Sequence, residues 1–162
     1  MWSVCRSERV NTASPDLDVI LLHASCVALD ERGVLLCGPS GSGKSALALE
    51  LMARGAILVA DDKTEVFRDG AVLRARAPET ISGLIEARGV GLLRAETLAQ
   101  VRLCVVVDLG QLETDRLPRH LKEEVLGISL PKVNRIDGAH FPAALIQYVK
   151  GGALDPETEP KL

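Results

Sequence analysis

Apolar residues fall in short runs separated by turn-forming residues, and most of these runs are too brief for helices. Residues 19–29 form an almost unbroken apolar run closed by Asp30-Glu31-Arg32-Gly33. Residues 34–37 resume it as a short buried strand, a pattern that predicts a β-hairpin. Over 44–54 the period changes: Leu47, Leu49, Leu51 and Met52 recur at helical spacing and Gly55 stands where a helix stops. Residues 57–60 predict a second buried strand, ended by Asp61-Asp62. Residues 65–68 and 71–76 flank Asp69-Gly70, a strong two-residue hairpin signal. The β-branched run 101–109 predicts a central strand, 117–124 a short helix limited by Pro118, and 125–130 another strand. Residues 141–149 predict a helix with Pro142 in its first turn and Gly151-Gly152 after it. Strands alternating with helices predict an α/β fold, and the hairpins predict a mixed sheet with flanking helices.

At 162 residues the chain has room for one domain with a proper core. That domain is expected over 16–150, after a polar lead-in (1–15) and before a tail (151–162) whose prolines and charges predict disorder. Hydrophobic residues make up 47 %, which excludes a largely disordered protein. With aromatics at 2 %, the core must be built from Val, Leu, Ile and Ala, and stacking platforms for single-stranded nucleic acid are excluded. A net charge of −3 leaves no basic footprint for DNA or RNA. No apolar run approaches the roughly 20 residues of a membrane-spanning helix, and no apolar block follows Arg6 and Arg9 as a secretory signal would require. The four cysteines are scattered without a C-x-x-C pair. They are expected to be reduced thiols in a cytoplasmic protein.

Residues 38–45 carry the clearest chemistry. They read Gly38, Pro39, Ser40, Gly41, Ser42, Gly43, Lys44, Ser45, a full match to the phosphate-loop pattern G-x-x-x-x-G-K-[ST]. The glycines let the backbone approach phosphate oxygens, and successive N–H groups then converge as an anion nest at the start of the following helix. Lys44 adds a full positive charge for the outer phosphates and Ser45 a hydroxyl for magnesium. A buried strand before the loop and an amphipathic helix after it are the context the motif needs, so ATP or a closely related nucleoside triphosphate, with Mg2+, is the expected ligand.

Phosphoryl transfer also calls for acidic groups at strand ends. Asp61 and Asp62 stand together at one such end and Asp108 at another. A single aspartate there usually serves a turn, which is the reading for Asp108. Adjacent carboxylates repel, so the Asp61-Asp62 pair points to a division of labour: one faces the metal and the other accepts a proton. His23 taken alone reads as a core histidine, and His120 and His140 as surface residues. Glu86 and Arg88 alternate along an extended segment, and Gly89 and Gly91 would let it turn closely around a ligand.

Together these pieces resemble the catalytic domain of the bacterial HPr kinase/phosphorylase family, over roughly residues 23–149. His23 precedes the loop and Asp62 follows it at the separations of the family pattern; Glu86-Ala87-Arg88-Gly89-Val90-Gly91 resembles the signature E-x-R-G-x-G, and Asp115-Arg116-Leu117 the later D-R-[LI] element. The resemblance implies a P-loop kinase-like domain that phosphorylates a serine of an HPr-type phosphocarrier protein. It implies that Lys44 contacts the phosphates, that Ser45 and Glu86 bind Mg2+, and that Asp62 is the general base with His23 beside it. Asp61 would support the metal, and Arg88 and Arg116 would neutralise charge on the transferred group. It further implies a homo-oligomer, a hexamer in the family.

The chain departs from the pattern in three places. It has no room for the N-terminal domain of longer members, and Pro39 stands where an acidic residue is common. Residues 130–136 lack the P-x-x-P-G-R-N run associated with dephosphorylation, although Lys132 and Arg135 lie there. Kinase activity is therefore the half of the reaction the resemblance carries. The competing readings are a small-molecule P-loop kinase, with Arg116 and Arg119 as its only lid-like segment, and a non-catalytic nucleotide sensor.

Overall fold

The β-branched run at Val105–Val107 sits inside a 13-residue strand, β10 (Gln100–Leu112), around which the rest of the sheet is arranged. The computed structural model of the chain describes residues 4–5, 7–9 and 18–157. Before β10 come β1 (Ser7–Arg9), β2 (Val19–Leu22), β3 (Ser25–Leu29), β4 (Arg32–Cys37), α1 (Lys44–Met52), β5 (Ile57–Ala60), β6 (Thr64–Asp69), β7 (Val72–Arg76), β8 (Leu84–Ala87) and β9 (Gly91–Arg94). After it come β11 (Leu121–Val125), β12 (Ile128–Arg135) and α2 (Phe141–Gly151). The main sheet runs β1-β2-β6-β7-β10-β4-β3-β5, with β12 also paired to β10 and β11 to β12; β8 and β9 form a separate hairpin.

β4 and β12 are parallel to β10, whereas β7 is antiparallel to it, so the sheet is mixed, as the hairpins predicted. Val27, Val34, Leu36, Val105 and Val107 pack with Leu47, Ala48 and Leu51 of α1 and Phe141 and Leu145 of α2. The opposite face curls on itself, enclosing Ile20, Leu22, Leu35, Val66, Leu73, Val106 and Val125. Burying such aliphatic side chains, about 1.5–3 kcal/mol each for Val or Leu, is the main force holding both layers. Arg32 donates to the carbonyls of Val149 and Lys150 and so ties the end of α2 to the start of β4.

Several sequence expectations are corrected. The run 19–29 is two strands: the chain breaks at His23-Ala24, where the Thr64 hydroxyl donates to the Ala24 carbonyl at 2.8 Å, and β2 leaves to pair with β6. The β6–β7 turn is Gly70-Ala71 rather than Asp69-Gly70, since Asp69 pairs with Val72 and Gly70 takes the positive φ of 62°. Residues 117–124 form no helix; 121–125 are strand β11, joined to β12 by Leu126-Gly127 with φ of 48° and 77°. The expected strand 125–130 therefore begins at Ile128 and runs on to Arg135. In the expected tail Gly151 closes α2 and 152–157 follow as irregular chain, while 158–162 lie outside the described residues. The expected lead-in supplies β1, which pairs antiparallel with β2.

The cysteines also depart from expectation. Cys5 and Cys37 are joined by a disulfide, and only Cys26 and Cys104 are free. Pairing of β1 with β2 carries Cys5 over the curled face, where it packs near Leu22, Leu35 and Val106. Burial pushes the Cys26 thiol up, so it behaves as a small hydrophobe. Peptide mapping without reductant is expected to recover Cys5 linked to Cys37. The bond spans a sequence separation of 32. Its reduction should then lower the unfolding free energy by about 3–4 kcal/mol on the chain-entropy account, read as a fall in the denaturation midpoint on adding reductant.

Candidate active site

β3 is antiparallel to both of its neighbours, β4 and β5, so its first residue lies at their carboxyl ends. Ser25 pairs with Leu36, just before the phosphate loop, and Cys26 with Ala60, just before Asp61. A register shift at Cys26/Val27 bends the pairing there, a device that re-aims side chains beside functional sites. Topology thus gathers His23, Ser25, the loop and Asp61-Asp62, which are well separated along the chain.

The loop has the backbone its glycines predict. Gly38 has φ 147°, and a Cβ there would come within 2.6 Å of the Ser42 hydroxyl. Gly43 caps α1 at φ 96°, and a Cβ on it would meet nothing within 4 Å, so the loop is open on that side. The Ser42 amide donates to the Pro39 carbonyl, while the Ser42 hydroxyl is buried with no hydrogen-bond partner among the described residues. The Lys44 ammonium folds back over the loop, donating to the Gly38 and Pro39 carbonyls at 2.9 and 3.0 Å. Burial lowers its pKa from the ordinary lysine value, partly offset by the nearby carboxylates of Asp62 and Asp61. Asp62 therefore lies within electrostatic reach of the loop lysine.

The two aspartates point different ways, which relieves their repulsion. Asp61 is buried; its Oδ1 accepts from the Ser25 and Ser45 hydroxyls, both at 2.7 Å, and its Oδ2 from the Glu86 amide at 3.1 Å. Asp62 takes the left-handed φ of 66° and turns outward, where its Oδ1 lies 2.8 Å from His23 Nε2. His23 is thus a partly exposed partner of Asp62 and not a core residue.

Among the described residues, no side-chain hydrogen bond or ion pair ties the remaining candidates to the loop. Glu86 lies in β8 with an exposed side chain, and only its amide touches Asp61. Arg88, in the β8–β9 turn, and Arg116, in the β10–β11 loop, are exposed; among the described residues no hydrogen bond or ion pair joins either to the phosphate loop. Arg116 borders a cavity of about 750 Å³ shared with Leu117, Val133 and Tyr148. Asp108, level with Cys37 in the β4–β10 pairing, does not end its strand as expected: it is buried inside β10, which runs on to Leu112, and its carboxylate accepts from the Gly110 amide at 2.9 Å where the β10–β12 register shifts. Lys132 pairs with Glu123, and Arg135 with Asp137.

Sequence reasoning missed two residues. Ser25 sat in what read as a uniform apolar strand. Glu113 follows β10 and accepts from the Thr114 and Asp115 amides and from the Asn134 side chain. The Asp115 amide foremost holds its carboxyl below the usual range, against burial, which raises it, and with lesser help from the Thr114 amide and the Asn134 side chain. Its contribution is full above the ordinary glutamate value of about 4.3 and is lost as pH falls through the depressed folded value. Glu113→Ala is expected to quicken amide exchange over 114–120 at neutral pH while costing about 1 kcal/mol or less of global stability.

A phosphate loop opening a helix, on a mixed sheet with an aspartate pair at the neighbouring strand end, defines a P-loop domain of the kinase type. A family model described as HPr Serine kinase C-terminal domain matches residues 17–136, and the chain belongs to that family. It is 41 % identical over 128 residues to an HPr kinase/phosphorylase of Azoarcus sp., covering 70 % of this chain and 41 % of that one. It is 43 % identical over 130 residues to the protein of that name from Leptothrix cholodnii, covering 71 % and 40 %. The chain thus aligns with about two-fifths of these relatives. A solved structure, the Hpr(Ser) kinase/phosphatase of Coxiella burnetii, superposes with a TM-score of 0.70 at 26 % identity, covering 80 % of this chain and 93 % of that one. Among the described residues no helix is long and apolar enough to cross a membrane.

Proposed function

We propose that the chain is an ATP- and Mg2+-dependent protein serine kinase acting on an HPr-type phosphocarrier, with residues 16–150 as the catalytic domain. The observation that carries this reading is the Asp62 carboxylate, 2.8 Å from His23 Nε2 and close enough to Lys44 to act on its charge. The residues fit the ligands. Magnesium takes oxygen ligands, commonly one or two carboxylates together with substrate phosphates. The Ser45 hydroxyl held on Asp61, with the exposed Glu86 carboxylate, provides such a set. The Ser42 hydroxyl, which has no partner among the described residues, and the free loop amides provide donors for phosphate oxygens.

Magnesium ATP, when bound, supplies the phosphoryl group and the cation that offsets its charge. The loop amides that remain free, Pro39 having none and that of Ser42 being given to the Pro39 carbonyl, would hold the phosphates, and Lys44 would exchange its two carbonyl partners for the outer phosphate oxygens. Asp62 takes the proton of the acceptor's serine hydroxyl, while the His23 ring fixes the carboxylate's direction. Arg88 and Arg116 approach from flanking loops and neutralise developing charge.

Incubation with labelled ATP, magnesium and a panel of phosphocarriers should place the label on one serine. Transfer to a metabolite alone would favour the small-molecule kinase, and nucleotide binding without any transfer the sensor. The same reading expects a cytoplasmic homo-oligomer, hexameric by family resemblance, to which the exposed Val90 and Leu92 of the β8–β9 hairpin offer an apolar contact. Light scattering reads its size.

A further inference from the structure

Ser25 is fully buried at the point where the sheet, the phosphate loop and the aspartate pair meet. Its hydroxyl donates to Asp61 Oδ1 at 2.7 Å and accepts from the Asp62 amide at 3.3 Å. One small side chain therefore contacts both aspartates, through the carboxylate of the first and the backbone of the second. Both contacts bear on orientation. Asp61 is the group that receives the Ser45 hydroxyl and the Glu86 amide, so its carboxylate plane decides where those partners stand. Asp62 is a non-glycine residue in the left-handed region, which local contacts must hold. The Lys63 amide on the Asp61 carbonyl, at 2.7 Å, and the Ser25 bond hold the backbone of that turn, and the His23 contact restrains its side chain. The turn in turn aims the Asp62 carboxylate at His23.

We propose that Ser25 is a positioning residue for phosphoryl transfer: it orients Asp61 towards the magnesium side and sets the backbone turn that presents Asp62 to the acceptor. The Asp62 arm rests on the reading of Asp62 as the base; the Asp61 arm does not. Alanine at 25 leaves Asp61 Oδ1 with the Ser45 hydroxyl alone and the Asp62 amide without its acceptor, yet removes only one oxygen atom from a buried site. Second-sphere losses of this kind lower metal affinity or activity by about 10–100-fold.

The test uses the whole chain. Ser25→Ala is compared with wild type and with Asp62→Asn in kcat, in KM for the phosphocarrier, in Tm, and in affinity for a fluorescent ATP analogue with and without Mg2+. The expected result is a kcat lowered about 10–100-fold with KM nearly unchanged, and a gain in nucleotide affinity on adding Mg2+ that shrinks about tenfold. Metal-free affinity should hold and Tm should fall only by the few degrees one lost buried hydrogen bond costs, and in the metal-free chain the Asp62 amide should exchange faster while those of β5 do not. A kcat and a Mg2+-linked gain both unchanged would overturn the proposal, and so would a lowered kcat with an unchanged gain, which would make Ser25 a packing residue. Should the alanine variant fail to fold, Ser25→Cys keeps the volume with a weak donor and carries the same comparison. An active Asp62→Asn, by contrast, removes the base reading and leaves the Asp61 arm to be judged by the Mg2+-linked gain alone.

Discussion

Asp62→Asn is expected to lower phosphoryl transfer by about 10²–10⁴-fold, the range that one positioned proton acceptor contributes, while nucleotide still binds. The substitution is well chosen for this site on physical grounds. Asparagine tolerates the left-handed backbone about as readily as aspartate, so the φ of 66° need not change. Its side chain has the same size, can still hydrogen-bond to His23 Nε2, and sits largely in solvent, so no buried gap opens. What disappears is the negative charge and with it the capacity to take a proton. Two measurements decide the matter: transfer of labelled phosphate to the acceptor, and binding of a fluorescent ATP analogue. Wild-type transfer in this variant would remove Asp62 as the base, and loss of binding along with transfer would make its role one of charge around Lys44.

Lys44→Ala is expected to act one step earlier, lowering affinity for the triphosphate by about 30-fold or more, as removal of a desolvated charged partner costs upwards of about 2 kcal/mol. The ammonium is nearly buried and its hydrogen bonds go to two loop carbonyls, so in the free chain it is held ready at the nest and not spent on a fixed ion pair. Its lowered pKa has a definite sign in the stability curve. Because the folded state disfavours the charged form, the free chain gains stability as pH rises from the depressed folded value towards the ordinary lysine range. The alanine variant should lack that alkaline rise. Folding at neutral pH should survive, since the two carbonyls lie beside the open loop and can bond to water. Titration of the ATP analogue, with and without magnesium, reads the first effect, and denaturant melts at two pH values the second. Unaltered affinity would separate the loop from triphosphate binding.

The loop, the flanking strand and helix, and the aspartate pair were legible because each depends on local chemistry. Glycine-rich turns, a helical period and a carboxylate pair at a strand end can be recognised without knowing what lies opposite. Ser25 was not legible, because a serine among Ala24, Cys26 and Val27 is unremarkable until β3 is seen to lie antiparallel between β4 and β5. The break at His23-Ala24 was hidden for the related reason that apolar residues continue through it, and only the Thr64 hydroxyl marks the point. Strand β11 reads Leu-Lys-Glu-Glu-Val, with residues that favour helix and no alternation of the usual kind. Pairing with β12 through a turn at Leu126-Gly127 overrides that preference, and leucine is a poor advertisement for a positive φ. The Cys5–Cys37 bond joins a polar segment to the strand before the loop, a pairing that spacing alone does not announce. Arg88 was marked by its alternation with Glu86 and took its role, as Arg116 did, from family resemblance; both are exposed.

The Asp62 side chain is 63 % exposed, and that openness works in two directions. On the proposed kinase reading, an acceptor protein needs no deep insertion to bring its serine to the carboxylate. Water reaches it as easily. If the chain is the kinase proposed above, it should therefore leak when loaded with nucleotide, consuming ATP slowly with no acceptor in the tube, and docking of an acceptor should stop the drip by occupying the space that solvent used.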